Sequence, residues 1–393
     1  MLPALFAEDE LCLLLARGRL PPDLRARALE LIVGQIQWDA LWRQAEEHQV
    51  LPLIHRSLKT LEFQGVPGEV RARLTADFRQ NAVRNMLFAA ELERLLRLLG
   101  EAGIRVIPLK GVTLAESLYG DPAMRVCSDI DILVPSSDAL RARSLILAAG
   151  YRSPFTDDFF ARHQFHTSAD CPLLAERGGL SYFVELHWTL LQHSSKDAEA
   201  MQDLWSQAQP RDYYGVQAYS LSAEWQFIFL AYHAAYHKWQ ILKWIADLND
   251  LCASAPIDWP LVREKAARFD LEFIVGPTLA VCSRLFGTPV PADFPALTIP
   301  AGVPLFPNSL DPAKAWNAPL FQAKLLKRPS EKLRWFFEML FVARMSDRMA
   351  FNLPPSLDFL YFLLRPLRLA RKWARLFLSA GHNRLRKWLK TIN

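Results

Sequence analysis

The sequence predicts a small core of mixed helix and strand, α/β or α+β in class, set between helical regions. Three observations predict it. Helical periodicity runs through the first hundred residues, short β-rich runs replace it between about residues 104 and 188, and helical periodicity returns from Ser222 onward. With 51% of its 393 residues hydrophobic, the chain can bury a large core, and its length suggests two or three domains. The composition indicates neither disorder, nor collagen, nor a disulfide scaffold.

Taken in order, the opening MLPALFAEDELCLLLARG contains an apolar run. Glu8, Asp9 and Glu10 stand where a signal peptide needs basic residues, so this segment reads as a first helix. DLRARALELIVGQIQWDALWRQAEEHQV and VRNMLFAAELERLLRLLGEAG then place apolar residues three and four apart with charges opposite. Gly100 and Gly103 close the second of these, as helix-terminal glycines commonly do. Ile104 to Leu109 is β-rich and reads as a buried strand, broken by Gly111, after which VTLAESLYG resumes helical spacing. A second strand is expected over Ile130 to Val134, ending at Pro135. Ser136, Ser137 and Asp138 can cap the next helix, which runs to Gly150. The third strand expected is Tyr182 to Trp188, after the turn signal Arg177-Gly178-Gly179. Helices follow, notably AEWQFIFLAYHAAYHKWQILKWIADLNDLCAS, and nine prolines between residues 287 and 330 mark a loop or linker.

Charge is unevenly distributed. The net value is +5, yet nine Lys/Arg and no acidic residue follow Asp358, so the preceding chain carries 37 basic against 41 acidic residues. The five cysteines are scattered and form no C-x-x-C pair, which argues against a zinc ribbon or thioredoxin-type site and for a reducing compartment. No run of about 18 uncharged apolar residues occurs, so a spanning helix is not expected. The expected location is cytoplasmic.

The chemistry concentrates in Leu109-Lys110-Gly111 and in Ser128-Asp129-Ile130-Asp131. Residues two apart on a strand share a face, so Asp129 and Asp131 point together while Ile130 and Ile132 enter the core. Two adjacent carboxylates repel, and hard oxygen donors of this kind suit Mg²⁺ or Mn²⁺. Capping at a strand edge is the other reading of the pair. In YFVELHW, Glu185 and His187 fall on one face and Val184, Leu186 and Trp188 on the other. A carboxylate in the middle of a buried-type strand needs a partner, and a shared metal supplies one; a salt bridge is the alternative.

These residues resemble the nucleotidyltransferase superfamily with the polymerase-beta-like fold. Within it, the chain is similar to the bacterial uncharacterised nucleotidyltransferase family. The match runs through Leu109-Lys110-Gly111, Ser128 to Asp131 and Val184 to Trp188. It continues through His233, His237, Leu242, Lys243, Trp244 and Asp247, and more loosely through Leu360 to Lys372. The resemblance implies an α+β fold, with a small mixed-sheet core embedded between N-terminal and C-terminal helical regions. Its parts would be an N-terminal helical region at 1–85, the nucleotidyltransferase core at 86–200, a helical substrate-side domain at 201–290, a Pro-rich linker at 291–330 and a helical basic tail at 331–393.

The resemblance also implies a mechanism. Asp129, Asp131 and Glu185 would be catalytic and bind two divalent ions, Mg²⁺ or Mn²⁺. These would hold the triphosphate of an NTP such as ATP and activate an acceptor hydroxyl for in-line attack on the α-phosphorus, releasing pyrophosphate. Gly111 would open the helix whose amides face the phosphates. The chain departs from the superfamily at three points. Lys110-Gly111-Val112 replaces the usual Gly-Ser, the interval from Gly111 to Asp129 is longer, and Glu185 stands where many relatives carry Asp. Lys110 could supply the phosphate contact that the serine would have made.

Around this centre, Arg125 and Ser128 could grip phosphate or brace the loop. His233 and His237 lie four apart, as do Lys243 and Asp247, and each pair could line the nucleotide or acceptor cleft or pack beside core aromatics. His163 and His166, with Cys171, form at most half a metal site. The basic, amphipathic stretch at 359–393 could lie on an anionic membrane surface, at the inner membrane, or touch nucleic acid, or pack on the domain. Nothing else in the chain supports nucleic acid. The acceptor class stays open among small molecules, sugars, peptides and macromolecules. A second, non-catalytic reading is a degenerate nucleotide-binding or assembly module, in envelope or exopolysaccharide biosynthesis if peripheral to the membrane.

Overall fold

A computed structural model describes residues 5–165, 168–191, 196–292, 294, 297–300, 303, 305–307, 329–343, 345–351 and 353–371. The chain divides into two compact units, Met1–Trp316 and Asn317–Asn393.

In the first unit the helical reading of the N-terminal hundred residues holds. Helices α1 (Ala7–Leu15), α2 (Pro22–Val33), α3 (Trp38–Glu47) and α4 (Leu51–Thr60) precede the 34-residue α5 (Gly68–Glu101). Leu92, Leu95, Leu96 and Leu99 form the buried stripe of α5, at the three and four spacing the sequence displays. The helix stops where Gly103 takes φ 73° and donates its amide to the Gly100 carbonyl. Residue 85 lies inside α5, so the N-terminal helical region and the core share one continuous helix.

The sheet has four strands in the order β1-β2-β4-β3: β1 (Ile107–Pro108), β2 (Ile130–Leu133), β3 (Asp170–Arg177) and β4 (Leu180–His187). β1 is antiparallel to β2, β2 parallel to β4, and β3 antiparallel to β4, which makes the sheet mixed and the fold α+β. The parallel step between β2 and β4 needs a crossover, and α7 (Ala139–Ala148) lies within it.

The structure corrects the expected strands in two ways. The Ile104–Leu109 run is buried throughout its apolar positions but has only two residues in strand pairing, because Pro108 has no N–H to extend the ladder. It is flanked instead by single backbone bonds, from the Leu109 amide to Asp131 and from the Tyr219 amide to Val106. The fourth strand, β3, was not expected. Pro172 disguises it, yet β3 is an edge strand, where a missing N–H is tolerated, and Cys171, Leu173 and Ala175 alternate inward. The Gly178-Gly179 signal is the two-residue turn joining β3 to β4, both glycines having positive φ.

Between β1 and β2 runs α6 (Val112–Tyr119). After the sheet come α8 (Asp197–Gln207) and an unexpected hairpin of β5 (Gln209–Tyr213) and β6 (Val216–Ser220), turning at Tyr214-Gly215. Then follow α9 (Ala223–Tyr236), α10 (Leu242–Ser254), α11 (Trp259–Arg268) and α12 (Glu272–Phe286). The N-terminal helices close back on this set: Arg17 donates to the Phe286 carbonyl, and the Gly18 amide to Asp250. All five cysteines are unpaired.

In the second unit, α13 (Pro329–Phe341) and α14 (Met345–Phe351) precede a helix at 361–371. Buried Arg365 donates through Nε to the Met339 carbonyl at 2.9 Å and pairs with buried Asp347, which also accepts from Arg368. Phe359, Leu363 and Leu367 stay exposed at helical spacing. Most of the linker at 291–330 and the basic residues Lys372 to Lys390 lie outside the described residues, as does His166. No described helix is long and apolar enough to cross a membrane.

Candidate active site

Asp131 and Glu185 are register partners on the parallel strands β2 and β4, and Leu133 pairs with His187 two residues on. Period-two alternation then puts Asp131, Glu185 and His187 on one face of the sheet, while Ile130, Ile132, Val184 and Leu186 fill the core beneath. Asp129 sits one residue before β2. Gly111 (φ 76°, ψ −134°), just before α6, abuts it: a Cβ there would lie 3.6 Å from the Asp129 carbonyl oxygen. That backbone conformation is open to glycine and strained for other residues.

Lys110 enters this group from the other side. Its Nζ lies 2.6 Å from Asp131 Oδ2 and 3.1 Å from Asp129 Oδ2. His187 Nε2 lies 3.2 Å from Asp131 Oδ1 and 3.5 Å from Glu185 Oε2, and Ser128 Oγ donates to Asp129 Oδ1 at 3.2 Å. Accessibility is graded: the Asp131 side chain is 0% exposed, Asp129 27% and Glu185 42%, so the two outer acids form the open side.

The charges answer to these neighbours. Burial opposes ionisation of Asp131, but the Lys110 ammonium and then the His187 hydrogen bond outweigh it and hold the carboxyl well below the usual range. Burial would lower Lys110; Asp131 and Asp129 outweigh that and raise it. His187 is likewise opposed by burial, yet its bonds to Asp131 and Glu185 raise it to about 10. The His187 hydrogen bond pulls Glu185 down, but burial and the negative Asp131 prevail and raise it.

Three of the residues expected to contact nucleotide form a buried cluster behind the site. Asp247 accepts from Arg125 Nε at 2.9 Å and from the Tyr119 hydroxyl at 2.9 Å. Lys243 Nζ donates to the Val126 carbonyl at 2.9 Å and to Gln49. Asn81 and Asn85 on α5 donate to the carbonyls of Ala123, Pro122 and Arg125. The segment leading into Asp129 is therefore pinned from α5, α6 and α10 at once. Burial, and then the neighbouring Arg125, lowers Lys243 to about 7.

His233 and His237 pack edge-on at 4.9 Å and share Trp244, at 5.1 and 4.9 Å between ring centroids. Burial, and then the charge of Lys110, lowers both, so they stand as neutral imidazoles beside the acid group. Lys110, Gly111, Ser128, Asp129, Asp131 and Glu185 are thus brought together. Arg125 and Asp247 pair with each other in the interior, and Lys243 spends its donors on the Val126 carbonyl and Gln49.

One donor atom from each of Asp131, Glu185 and His187 lies within 4.8 Å of the others, a set suited to a single small cation. Buried Asp131 Oδ2 has no aligned hydrogen bond beyond its 2.6 Å ion contact with Lys110, and Oδ1, facing His187 Nε2 at 3.2 Å, is the oxygen turned toward the donor set for a metal. The two carboxylates suit Mn²⁺ or Mg²⁺, and the imidazole, once the ion displaces the proton that its acid neighbours favour, adds a nitrogen donor that Mn²⁺ accepts more readily. His187 as a donor was missed from the sequence, although the alternation in YFVELHW already places it beside Glu185. Tyr119, Asn81, Asn85 and Gln49 were also missed. They come from distant segments and carry no local signal.

Neither the curated proteins nor the solved structures hold a significant match to this chain. Residues 34–287, well over half of its length and including the whole acid group, match one family throughout, and the chain belongs to the uncharacterised nucleotidyltransferase family.

Proposed function

We propose that this protein transfers a nucleoside monophosphate from an NTP to a hydroxyl acceptor, with Asp129, Asp131 and Glu185 as its catalytic acids. The observation that carries the reading is the in-register pairing of Asp131 with Glu185, two residues from Asp129 and against the N-terminus of α6. Those acids would hold Mg²⁺ or Mn²⁺, which supplies charge neutralisation at the triphosphate and acidifies the acceptor hydroxyl. Gly111 lets the first amides of α6 approach phosphate oxygens, where the helix dipole favours negative charge. Lys110 and Ser128 add donors from either side of Asp129. His233 and His237, kept neutral, line the nucleotide or acceptor side. Arg125, Lys243 and Asp247 hold the 122–128 segment so that Asp129 keeps its place. The acceptor oxygen bonds to the α-phosphorus, the bond to the α,β-bridging oxygen breaks, and pyrophosphate leaves.

The test is incubation with each α-labelled NTP, Mg²⁺ or Mn²⁺, and pools of small hydroxyl compounds, sugars, peptides and nucleic acids. Pyrophosphate release and label transfer above the Asp129→Ala/Asp131→Ala variant support the reading. Metal-dependent NTP binding without turnover on any acceptor replaces it with the nucleotide-binding module. One observation favours that module, namely that Lys110 already pairs with two of the acids.

A peripheral contact with an anionic membrane through residues 359–393 is supported by exposed Phe359, Leu363 and Leu367 on a segment without acidic residues. Liposome flotation with and without 359–393 tests it, and equal flotation would end it.

A further inference from the structure

The two oxygens of Asp131 face different partners. Oδ1 looks toward His187 Nε2 at 3.2 Å, and that nitrogen is 3.5 Å from Glu185 Oε2. Oδ2 looks toward Lys110 Nζ at 2.6 Å, and that ammonium is 3.1 Å from Asp129 Oδ2. Asp129 spends its other oxygen on the Ser128 hydroxyl and stands outside the close donor set of Asp131, Glu185 and His187. The site is therefore split into two cationic positions that share one carboxylate, and one of them already holds a cation supplied by the chain.

We propose that this chain takes a single divalent cation, on Asp131, Glu185 and His187, and that the Lys110 ammonium fills the second cationic position, between Asp129 and Asp131. This rests on the nucleotidyl-transfer reading for its purpose, though not for its geometry. Lys110 is no loosely tethered surface lysine. It is 8% exposed, and its carbonyl accepts from the Thr113 hydroxyl at the turn into α6. Withdrawing it would leave two carboxylates facing each other across the space it fills.

Charge counting favours the same stoichiometry. One ammonium and one dication neutralise the three carboxylates. A second dication would leave two positive charges in excess before any nucleotide binds. The donor set also sets the metal. Magnesium prefers oxygen ligands and keeps its waters, whereas an imidazole nitrogen among carboxylates favours Mn²⁺ and other first-row ions. A histidine ligand therefore biases this site toward Mn²⁺ over Mg²⁺.

The experiment is Mn²⁺ titration of the full chain without nucleotide, followed by electron paramagnetic resonance, with pulsed measurement of nitrogen modulation on the bound ion. The expected result is one Mn²⁺ per chain carrying ¹⁴N modulation. In His187→Gln that modulation should vanish and affinity should fall about tenfold or more. In Lys110→Met the stoichiometry should rise to two. Two ions per wild-type chain, or a bound ion without nitrogen modulation, overturns the proposal. A Lys110→Met variant that folds and still binds one ion overturns the lysine's part in it. Should that variant fail to fold, wild-type stoichiometry and the nitrogen signal still decide. Failure of label transfer with one nitrogen-ligated Mn²⁺ in place would sink the transferase reading alone.

Discussion

Asp131 and Glu185 stand opposite each other as paired positions of two parallel strands, so the backbone ladder itself holds two negative groups side by side. Such an arrangement costs stability unless a cation compensates, and sites that act on substrates commonly carry strain of this kind. Glu185→Gln removes the repulsion and keeps an acceptor for His187. We expect its divalent-ion affinity to fall about 10- to 100-fold. Its metal-free thermal midpoint should stay level or rise, within about 1 kcal/mol of the wild type in stability. Calorimetry in chelator checks this, and a large destabilisation would show that Glu185 is a structural residue.

Asp247 is the carboxylate that pairs with Arg125 and accepts from Tyr119 in the buried cluster that also holds Lys243. Removing it leaves buried cations uncompensated. Asp247→Ala should lose about 3–5 kcal/mol in urea unfolding, and Asp247→Asn, which keeps an acceptor for Tyr119, somewhat less. A loss below about 1 kcal/mol would mean that the cluster does not brace the 122–128 segment.

Burial lowers buried His48 from 6.5 to about 4, and its Nδ1 accepts from the Leu242 amide, which requires the neutral ring. A depressed folded-state pKa means that the unfolded chain binds the proton first on acidification. The stability contribution is therefore complete above pH 6.5 and is lost as pH falls from there toward 4. Asp250, raised to about 7 by burial, works in the opposite sense, losing its contribution as pH rises toward 7. Only a comparison isolates the histidine. Between pH 7 and 4 the wild type should lose about 3 kcal/mol more than His48→Asn. Parallel pH–stability curves would contradict this.

Gly111 has positive φ, and a Cβ there would make only an ordinary contact, 3.6 Å from the Asp129 carbonyl oxygen, so Gly111→Ala isolates the backbone term. It should cost about 1–3 kcal/mol of stability by thermal unfolding. NTP affinity should fall as well, since the α6 amides shift. Unchanged affinity would remove the helix terminus from phosphate binding.

The acid pair, Glu185 and Gly111 were legible in the sequence because their signals are local: period-two alternation on a strand and a glycine at a turn. The helical flanks were legible through leucine spacing, as in α5. β3 was hidden because Pro172 reads as a breaker, and only its edge position excuses it. The roles of Arg125, Lys243 and Asp247 were not legible. Their types left phosphate grip, cleft lining and bracing all open, while their burial and the Arg125–Asp247 pair depend on α10 folding back onto the segment before β2. His187 lay in view beside Glu185, and what was lacking was the parallel register that brings Asp131 to it.

The central claim is that the acid group built on Asp131 and Glu185, with Asp129 beside it, takes a divalent cation that clamps a triphosphate. Isothermal titration of a non-hydrolysable NTP with Mn²⁺ into wild type and Asp129→Ala/Asp131→Ala, each shown to be folded by circular dichroism, tests it most directly. The account predicts Mn²⁺-dependent binding to the wild type that disappears in the double variant. Equal affinity in the two proteins, or binding indifferent to chelator, would contradict it.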